Sequence, residues 1–266
     1  MNTALISFRI ARYLKYIIVA RNHKGHNIHS PFIFDLVTRV FRNKTDPAIV
    51  YSIEKIRKSL VKDKRVIDVT ELGANSDSQK GRLKKVSDIA RCSAVSEKYG
   101  KLLANMAAEF GKQLVIEFGT SFGISTMYMA ASVRETPVLS MEGCPFTAEI
   151  AENNFMETRL NNIRLYVGPF EEKIPEIINQ GIKPGLIFID GNHRKGPVLD
   201  YFEKMAEIAD NNTVIILDDI NYSPEMEEAW NEIRQNEKVT LSIDIYRMGI
   251  VFFRKGIGHY DYTIRY

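Results

Sequence analysis

Residues 114–126 read LVIEFGTSFGIST: an apolar run closing on Glu117 and Phe118, then two glycines four positions apart among small hydroxyl residues. An apolar run that breaks into glycines and resumes with helical spacing is a strand, turn and helix of an open α/β sheet. In such sheets ligands bind beyond the carboxyl ends of the strands, where a helix N-terminus offers backbone donors. The dinucleotide fingerprint G-x-G-x-x-G is not met, because the order is Glu117-x-Gly119-x-x-x-Gly123 with no third glycine at the required offset. The G-K-[ST] ending of a phosphate-cradling loop is missing as well. An acid placed ahead of the glycines suits a ligand that carries an ammonium group.

Outward from this turn the chain alternates short apolar runs with helical spacers. The runs are LVIEF (114–118), PVLSME (137–142), IRLYV (163–167), GLIFID (185–190) and TVIILDD (213–219), followed by VTLSIDI (239–245) and MGIVFFR (248–254). Near-continuous apolar strands spaced by helices indicate a parallel sheet covered on both faces. The last two runs are separated only by Tyr246 and Arg247, so they must pair as an antiparallel hairpin. The expected fold is α/β: a Rossmann-like, seven-stranded mixed sheet of five parallel-type strands and a terminal antiparallel hairpin.

The second strand ends in Glu142, 19 residues beyond Gly123, where a carboxylate can accept the hydroxyls of a ribose. A ribose, an ammonium and no phosphate together describe S-adenosylmethionine. With EFGTSFG at the first turn and SMEG after the second strand, the sequence resembles the class I S-adenosylmethionine-dependent methyltransferases over residues 96–255. The resemblance implies a cofactor site of Glu117, Gly119, Thr120, Ser121, Gly123, Ser125, Glu142, Gly143, Gly168, Phe170 and Asp190. Gly168 and Phe170, in YVGPFEE, would flank the adenine; Phe170 equally reads as a core aromatic.

Two further strands end in acids, Asp190 in LIFIDGNH and Asp218 and Asp219 in VIILDDIN. Carboxylates gathered at one sheet edge are costly unless neutralised. The set resembles that of the metal-dependent small-molecule O-methyltransferases, which implies Mg²⁺ held by Asp190, Asp218 and Asp219; alternatively an acid of the pair caps the next helix near Ser223. His193, three residues beyond Asp190, is the candidate base, with Asp190 beside it as a second catalytic residue; His193 also reads as a residue opening a helix. Lys195 is a second basic candidate. The expected activity is O-methylation of a small hydroxylated acceptor, aromatic ones included. The alternatives are a metal-independent methyltransferase of nitrogen or nucleic acid, and a non-catalytic scaffold that only binds the cofactor.

Ahead of this region, residues 1–95 read as a helical extension and 96–266 as the catalytic domain. Basic residues at 9, 12 and 15 leave a narrow charged stripe on an otherwise apolar helix over 3–20, Ser30 and Pro31 start a second helix, and a third runs from Pro47 to about Val61. KGHNIHSPFIFDLVTRVF (24–41) resembles the opening of a bacterial methyltransferase group with an extra helical N-terminal region; a helical segment ahead of the first strand reaches the active site only by lying over the carboxyl edge of the sheet, so it is expected to supply the acceptor pocket, with His26, His29, Phe32 and Phe34 lining it or serving as packing residues. The stretch 72–85 reads as a polar loop, and 69–76 has the composition of a lid.

Charge is uneven: residues 1–110 carry 21 Lys and Arg against 10 Asp and Glu, and residues 111–266 carry 15 against 23. No basic block exceeds two residues and no N/D-P-P-Y/F motif occurs, so a small-molecule acceptor is favoured over nucleic acid. Two cysteines 52 positions apart fit a reducing cytoplasm, and no run approaches the roughly 20 apolar residues of a spanning helix. Peripheral membrane contact through residues 3–20 and a homodimer remain open.

Overall fold

The computed structural model describes residues 3–20, 30–70, 82–256 and 258–266. In chain order its elements are α1 (Thr3–Val19), α2 (Pro31–Asp35) running into a π-helical segment (Leu36–Val40), α3 (Pro47–Leu60), β1 (Val66–Val69), β2 (Arg82–Lys85), α4 (Val86–Cys92), α5 (Glu97–Phe110), β3 (Val115–Phe118), α6 (Ile124–Ser132), β4 (Val138–Glu142), α7 (Pro145–Thr158), β5 (Ile163–Val167), α8 (Phe170–Ile178), β6 (Leu186–Ile189), α9 (Lys195–Ile208), β7 (Val214–Leu217), α10 (Pro224–Arg234), β8 (Leu241–Asp244), β9 (Gly249–Phe252) and β10 (Tyr260–Thr263). They fall into two compact units: Asn43–Ile182, and Met1–Arg42 with Lys183–Tyr266.

In the unit of residues 43–182, β3, β4 and β5 lie side by side and parallel, with Glu117 opposite Ser140 and Glu142 opposite Val167. β3 is buried at every residue, Glu117 included, as a strand covered on both faces requires. α3 starts at Pro47, where the Asp46 carboxylate accepts from the Ala48 N–H at 2.8 Å. It packs on α6, and the Tyr128 hydroxyl donates to Glu54 at 2.9 Å while the Arg57 guanidinium holds the same carboxylate. Gly100 on α5 is obligatory, because a Cβ there would stand 2.5 Å from the Tyr128 ring.

In the other unit, β6 and β7 are parallel, β9 runs antiparallel to β7, and β8 pairs antiparallel with β9 in the expected hairpin. The hairpin turn holds Tyr246 at φ 72°, and Gly249 at its far side leaves room for Trp230 of α10, whose ring lies 2.5 Å from where a Cβ would be. α1 is seated by its polar residues as much as by its apolar ones. The Tyr16 hydroxyl donates to the Ile264 carbonyl at 2.8 Å, Arg265 donates to the Ile17 carbonyl at 2.7 Å, and Arg12 reaches both Asn221 and Glu227.

The α/β class, the parallel strands, the hairpin and the helices at 3–19, 31–35 and 47–60 are as the sequence led us to expect. An eighth strand is added: β10 pairs in parallel with β8. It is short, exposed at Tyr260 and Asp261 and half-buried at Tyr262 and Thr263, with alternating tyrosines rather than a continuous apolar run. The polar stretch 72–85 is also not wholly a loop, since Arg82–Lys85 pairs antiparallel with Val66–Val69. The rest of that stretch, most of the proposed lid at 69–76, and His26 and His29 lie outside the described residues. Among the described residues no helix is long and apolar enough to cross a membrane.

Candidate functional site

The turn after β3 reverses the chain into α6 through three left-handed residues, Gly119 at φ 94°, Ser121 at φ 49° and Gly123 at φ 79°. The N–H groups of Gly119 and Thr120 both donate to the Met141 carbonyl, at 3.0 and 3.1 Å, which ties the turn to β4. Gly123 admits no side chain: a Cβ would stand 2.3 Å from the Phe155 ring. Ser121, the non-glycine member, is held in a sparsely populated conformation that costs on the order of 1–3 kcal/mol. The bond from its N–H to Glu142 Oε2, at 2.7 Å, offsets part of that cost.

Glu117 is fully buried at the end of β3. Its Oε2 accepts from the hydroxyls of Thr126 and Ser140, and Ser140 in turn meets Thr120. Burial pushes the carboxyl up to about 7, with the hydroxyls of Ser125, Ser140 and Thr126 pulling the other way. Oε1 has no hydrogen-bond partner among the described residues, which makes it a buried acceptor of the kind a cationic donor satisfies. The hydroxyl cluster that marks this turn in the sequence therefore solvates an acid. Thr120 is buried against Ser140.

Glu142 is busier than a free ribose acceptor. Oε1 accepts from the Cys144 N–H and the Thr147 hydroxyl, both at 2.9 Å, capping α7, and Oε2 holds Ser121. Burial raises its pKa, while bonds from Cys144, Ser121, Thr147 and Gly143 work to lower it. A carboxylate offers about four lone-pair sites, so little of its capacity remains for hydroxyls of a ligand. Gly168, at φ 133°, donates to the Glu142 carbonyl at 2.9 Å, and Phe170 meets Phe118 edge to face with ring centroids 5.7 Å apart.

In the other unit the acids after β6 and β7 form their own cluster. Asn192 and His193 are consecutive left-handed residues, at φ 69° and 42°, and fold the loop so that His193 Nε2 stands 3.7 Å from Asp190 Oδ1. The His193 ring lies 5.8 Å from that of Tyr222, over which the Arg9 guanidinium of α1 sits at 3.9 Å. Asp218 is buried and takes a bidentate grip from Arg247, at 2.7 Å to Oδ2 and 2.9 Å to Oδ1; the same guanidinium stands 3.7 Å from Asp219. Burial works against the Arg247 charge, but the bonds to Asp218 and the fields of Asp218, Asp219 and Asp190 outweigh it and raise its pKa. For Asp219, burial and then Asp218 raise the pKa, opposed by Arg247, His193 and Arg9.

Residues 116–220 match the family described as "Methyltransferase domain". A catechol O-methyltransferase of Niastella koreensis is 27 % identical over 48 % of this chain and 58 % of its own length. An uncharacterised RNA methyltransferase of Clostridium tetani is 30 % identical over 44 % of this chain and 25 % of that protein. The chain thus spans well under two thirds of the length of these curated relatives. Among solved structures, the O-methyltransferase from Bacillus cereus in complex with SAH superposes with a TM-score of 0.56 over 83 % of this chain and 97 % of that one, at 18 % identity. The fold is that of the class I methyltransferases, and the chain resembles their O-methyltransferase members.

For the methyltransferase cofactor, the orphaned Glu117 oxygen fits the ammonium group of S-adenosylmethionine. For Mg²⁺ the implied ligands do not fit. Both oxygens of Asp218 are occupied by Arg247, which also stands over Asp219, and among the described residues no group of three or more His, Cys, Asp or Glu is arranged to hold a metal. Lys195 is tied by ion pairs to Glu228 and Glu232 of α10, which raise its pKa and make it a poor base. Phe32 packs edge to face on Phe252 under Arg254, while Phe34 is exposed. Arg247 and Arg9 were not singled out from sequence. The signal for Arg247 was present, as the one basic residue in the hairpin turn following two acid-ended strands.

Proposed function

We propose that this protein is an S-adenosylmethionine-dependent methyltransferase that methylates a hydroxyl group of a small acceptor, with aromatic hydroxyls among the candidates. The turn carries this reading: Glu117-x-Gly119-x-x-x-Gly123 is folded around a buried, half-satisfied carboxylate and braced by Glu142. Gly119, Ser121 and Gly123 would cradle the methionine portion, Gly143 would meet the ribose with Glu142 bracing the turn beside it rather than binding the hydroxyls itself, and Gly168 and Phe170 would flank the adenine. Residues 96–266 are the catalytic part and 1–95 the extension, from which α1 brings Arg9 to Tyr222.

Bound S-adenosylmethionine would supply an electrophilic methyl on sulfur: the acceptor oxygen would form the C–O bond as the C–S bond breaks, leaving the bonding pair on sulfur as S-adenosylhomocysteine. The hydroxyl proton passes to His193, with Asp190 beside it to stabilise the imidazolium. The sulfonium is itself a strong methyl donor, so positioning and exclusion of water are the main contributions required of the protein. Magnesium assistance, which the sequence resemblance suggested, is not part of this reading because Arg247 holds both oxygens of Asp218 and stands 3.7 Å from Asp219. Two free cysteines, one exposed and one buried, agree with a cytoplasmic setting.

RNA as the acceptor is the second reading, favoured by the relative from Clostridium tetani and the basic balance of residues 1–110. The deciding experiment measures melting with S-adenosylhomocysteine and then product formation with a panel of phenols and with RNA. A rise in melting temperature that is lost in Gly123→Val, and turnover with a phenol that falls by about 10²-fold or more in His193→Ala, is the expected result. Turnover with RNA alone transfers the proposal to the second reading. Binding without turnover marks a scaffold, and no binding at all overturns the cofactor assignment.

A further inference from the structure

Three carboxylates after β6 and β7 need a counter-charge whatever the acceptor is. We propose that Arg247 is that charge, a resident guanidinium paired with Asp218 and standing 3.7 Å from Asp219, so that the site works without metal. The inference rests on the methyltransferase reading above.

The geometry is specific. Arg247 meets Asp218 through two near-parallel N–H···O bonds, at 2.7 and 2.9 Å, the fork-to-carboxylate pairing that lysine cannot make. Its backbone is pinned on both sides: its N–H donates to the Ile245 carbonyl and its carbonyl accepts from the Ile220 N–H in the loop after β7, at 3.0 and 3.1 Å. Asn221 adds a third stitch by donating to the Tyr246 carbonyl at 2.7 Å. The hairpin turn and the acid-bearing loop are thus one fastened piece, and the guanidinium is delivered to Asp218, Asp219 and the field of Asp190 together. Mg²⁺ demands near-octahedral oxygen ligation at about 2.0–2.1 Å, and Asp218 could join it only by surrendering its ion pair. Arg247 is accordingly a positioning residue: it neutralises the acids and fixes the loop that follows them, leaving proton transfer to His193 and Asp190.

The test uses the full chain and Mg²⁺ and Mn²⁺ as probes. Melting temperatures are measured in chelator and then in millimolar metal for wild type, Arg247→Ala and Arg247→Lys, without cofactor. The expected result is no metal shift in wild type or in Arg247→Lys, and a rise of about 2 °C or more in Arg247→Ala, whose unmasked carboxylates gain a cation. A metal-dependent rise in wild type overturns the inference, as does its absence in a folded Arg247→Ala protein. Should Arg247→Ala fail to fold, the wild-type and Arg247→Lys titrations still decide it. A separate S-adenosylhomocysteine titration of wild type tests the underlying reading, so a protein that binds the nucleoside and also Mg²⁺ loses only the inference drawn here.

Discussion

The turn after β3 and the loop after β7 both hold buried acids, and they neutralise them by opposite means. Glu117 is surrounded by hydroxyls and has its proton affinity raised to about 7. Asp218 is equally buried but is held by the two-pronged Arg247 fork. The first arrangement leaves one buried oxygen without a hydrogen-bond partner among the described residues, whereas the second is closed by a cation from the chain itself. Two acids at strand ends therefore do not imply the same chemistry, and what faces each carboxylate decides between a ligand site and an internal ion pair.

Removing the cation should break that contrast most strongly. Arg247→Ala leaves Asp218 charged and unpaired, and in metal-free buffer chemical denaturation should show a loss of about 3–5 kcal/mol. Gly123→Val attacks the other side: its side chain collides with Phe155 and its backbone is left-handed, so a loss of about 3 kcal/mol is expected together with loss of S-adenosylhomocysteine binding in calorimetry.

A pH series sharpens the difference without a large structural change. Because the folded-state pKa of Glu117 lies above its unfolded value of 4.5, the native state binds the extra proton, and its contribution to stability falls as pH rises from 4.5 to about 7. The total is about 3 kcal/mol, and Glu117→Gln should flatten that part of the profile while leaving the rest unchanged. The smallest effect belongs to Lys195→Ala. Its ion pairs lie at the surface, so both stability and turnover should stay within about 0.5 kcal/mol of wild type.

The regular elements were legible because each follows from a local pattern: unbroken apolar runs for β3, β6 and β7, and Ser30-Pro31 and Asp46-Pro47 for helix starts. The cofactor turn was legible for the same reason, since its glycines and acids are neighbours in sequence. What escaped depends on residues far apart. Arg247 matters through Asp218, 29 positions away, and Arg9 through Tyr222, 213 positions away; neither spacing leaves a motif. β10 escaped because its partner β8, rather than its own apolar content, makes it a strand. Glu142 was recognisable as an acid at a strand end, but not as the cap of α7 and the brace of Ser121, which only its bond geometry reveals.

The seat of α1 has a consequence for the order in which the molecule can form. Residues 43–182 are contiguous and can close their contacts as soon as they leave the ribosome. The Tyr16 hydroxyl, by contrast, docks on the Ile264 carbonyl, 248 residues later. Helix α1 must therefore wait, unseated, until Ile264 has followed it out of the ribosome. Its unit closes last because it bridges the greatest distance along the chain, a separation that slows folding through the entropy of loop closure.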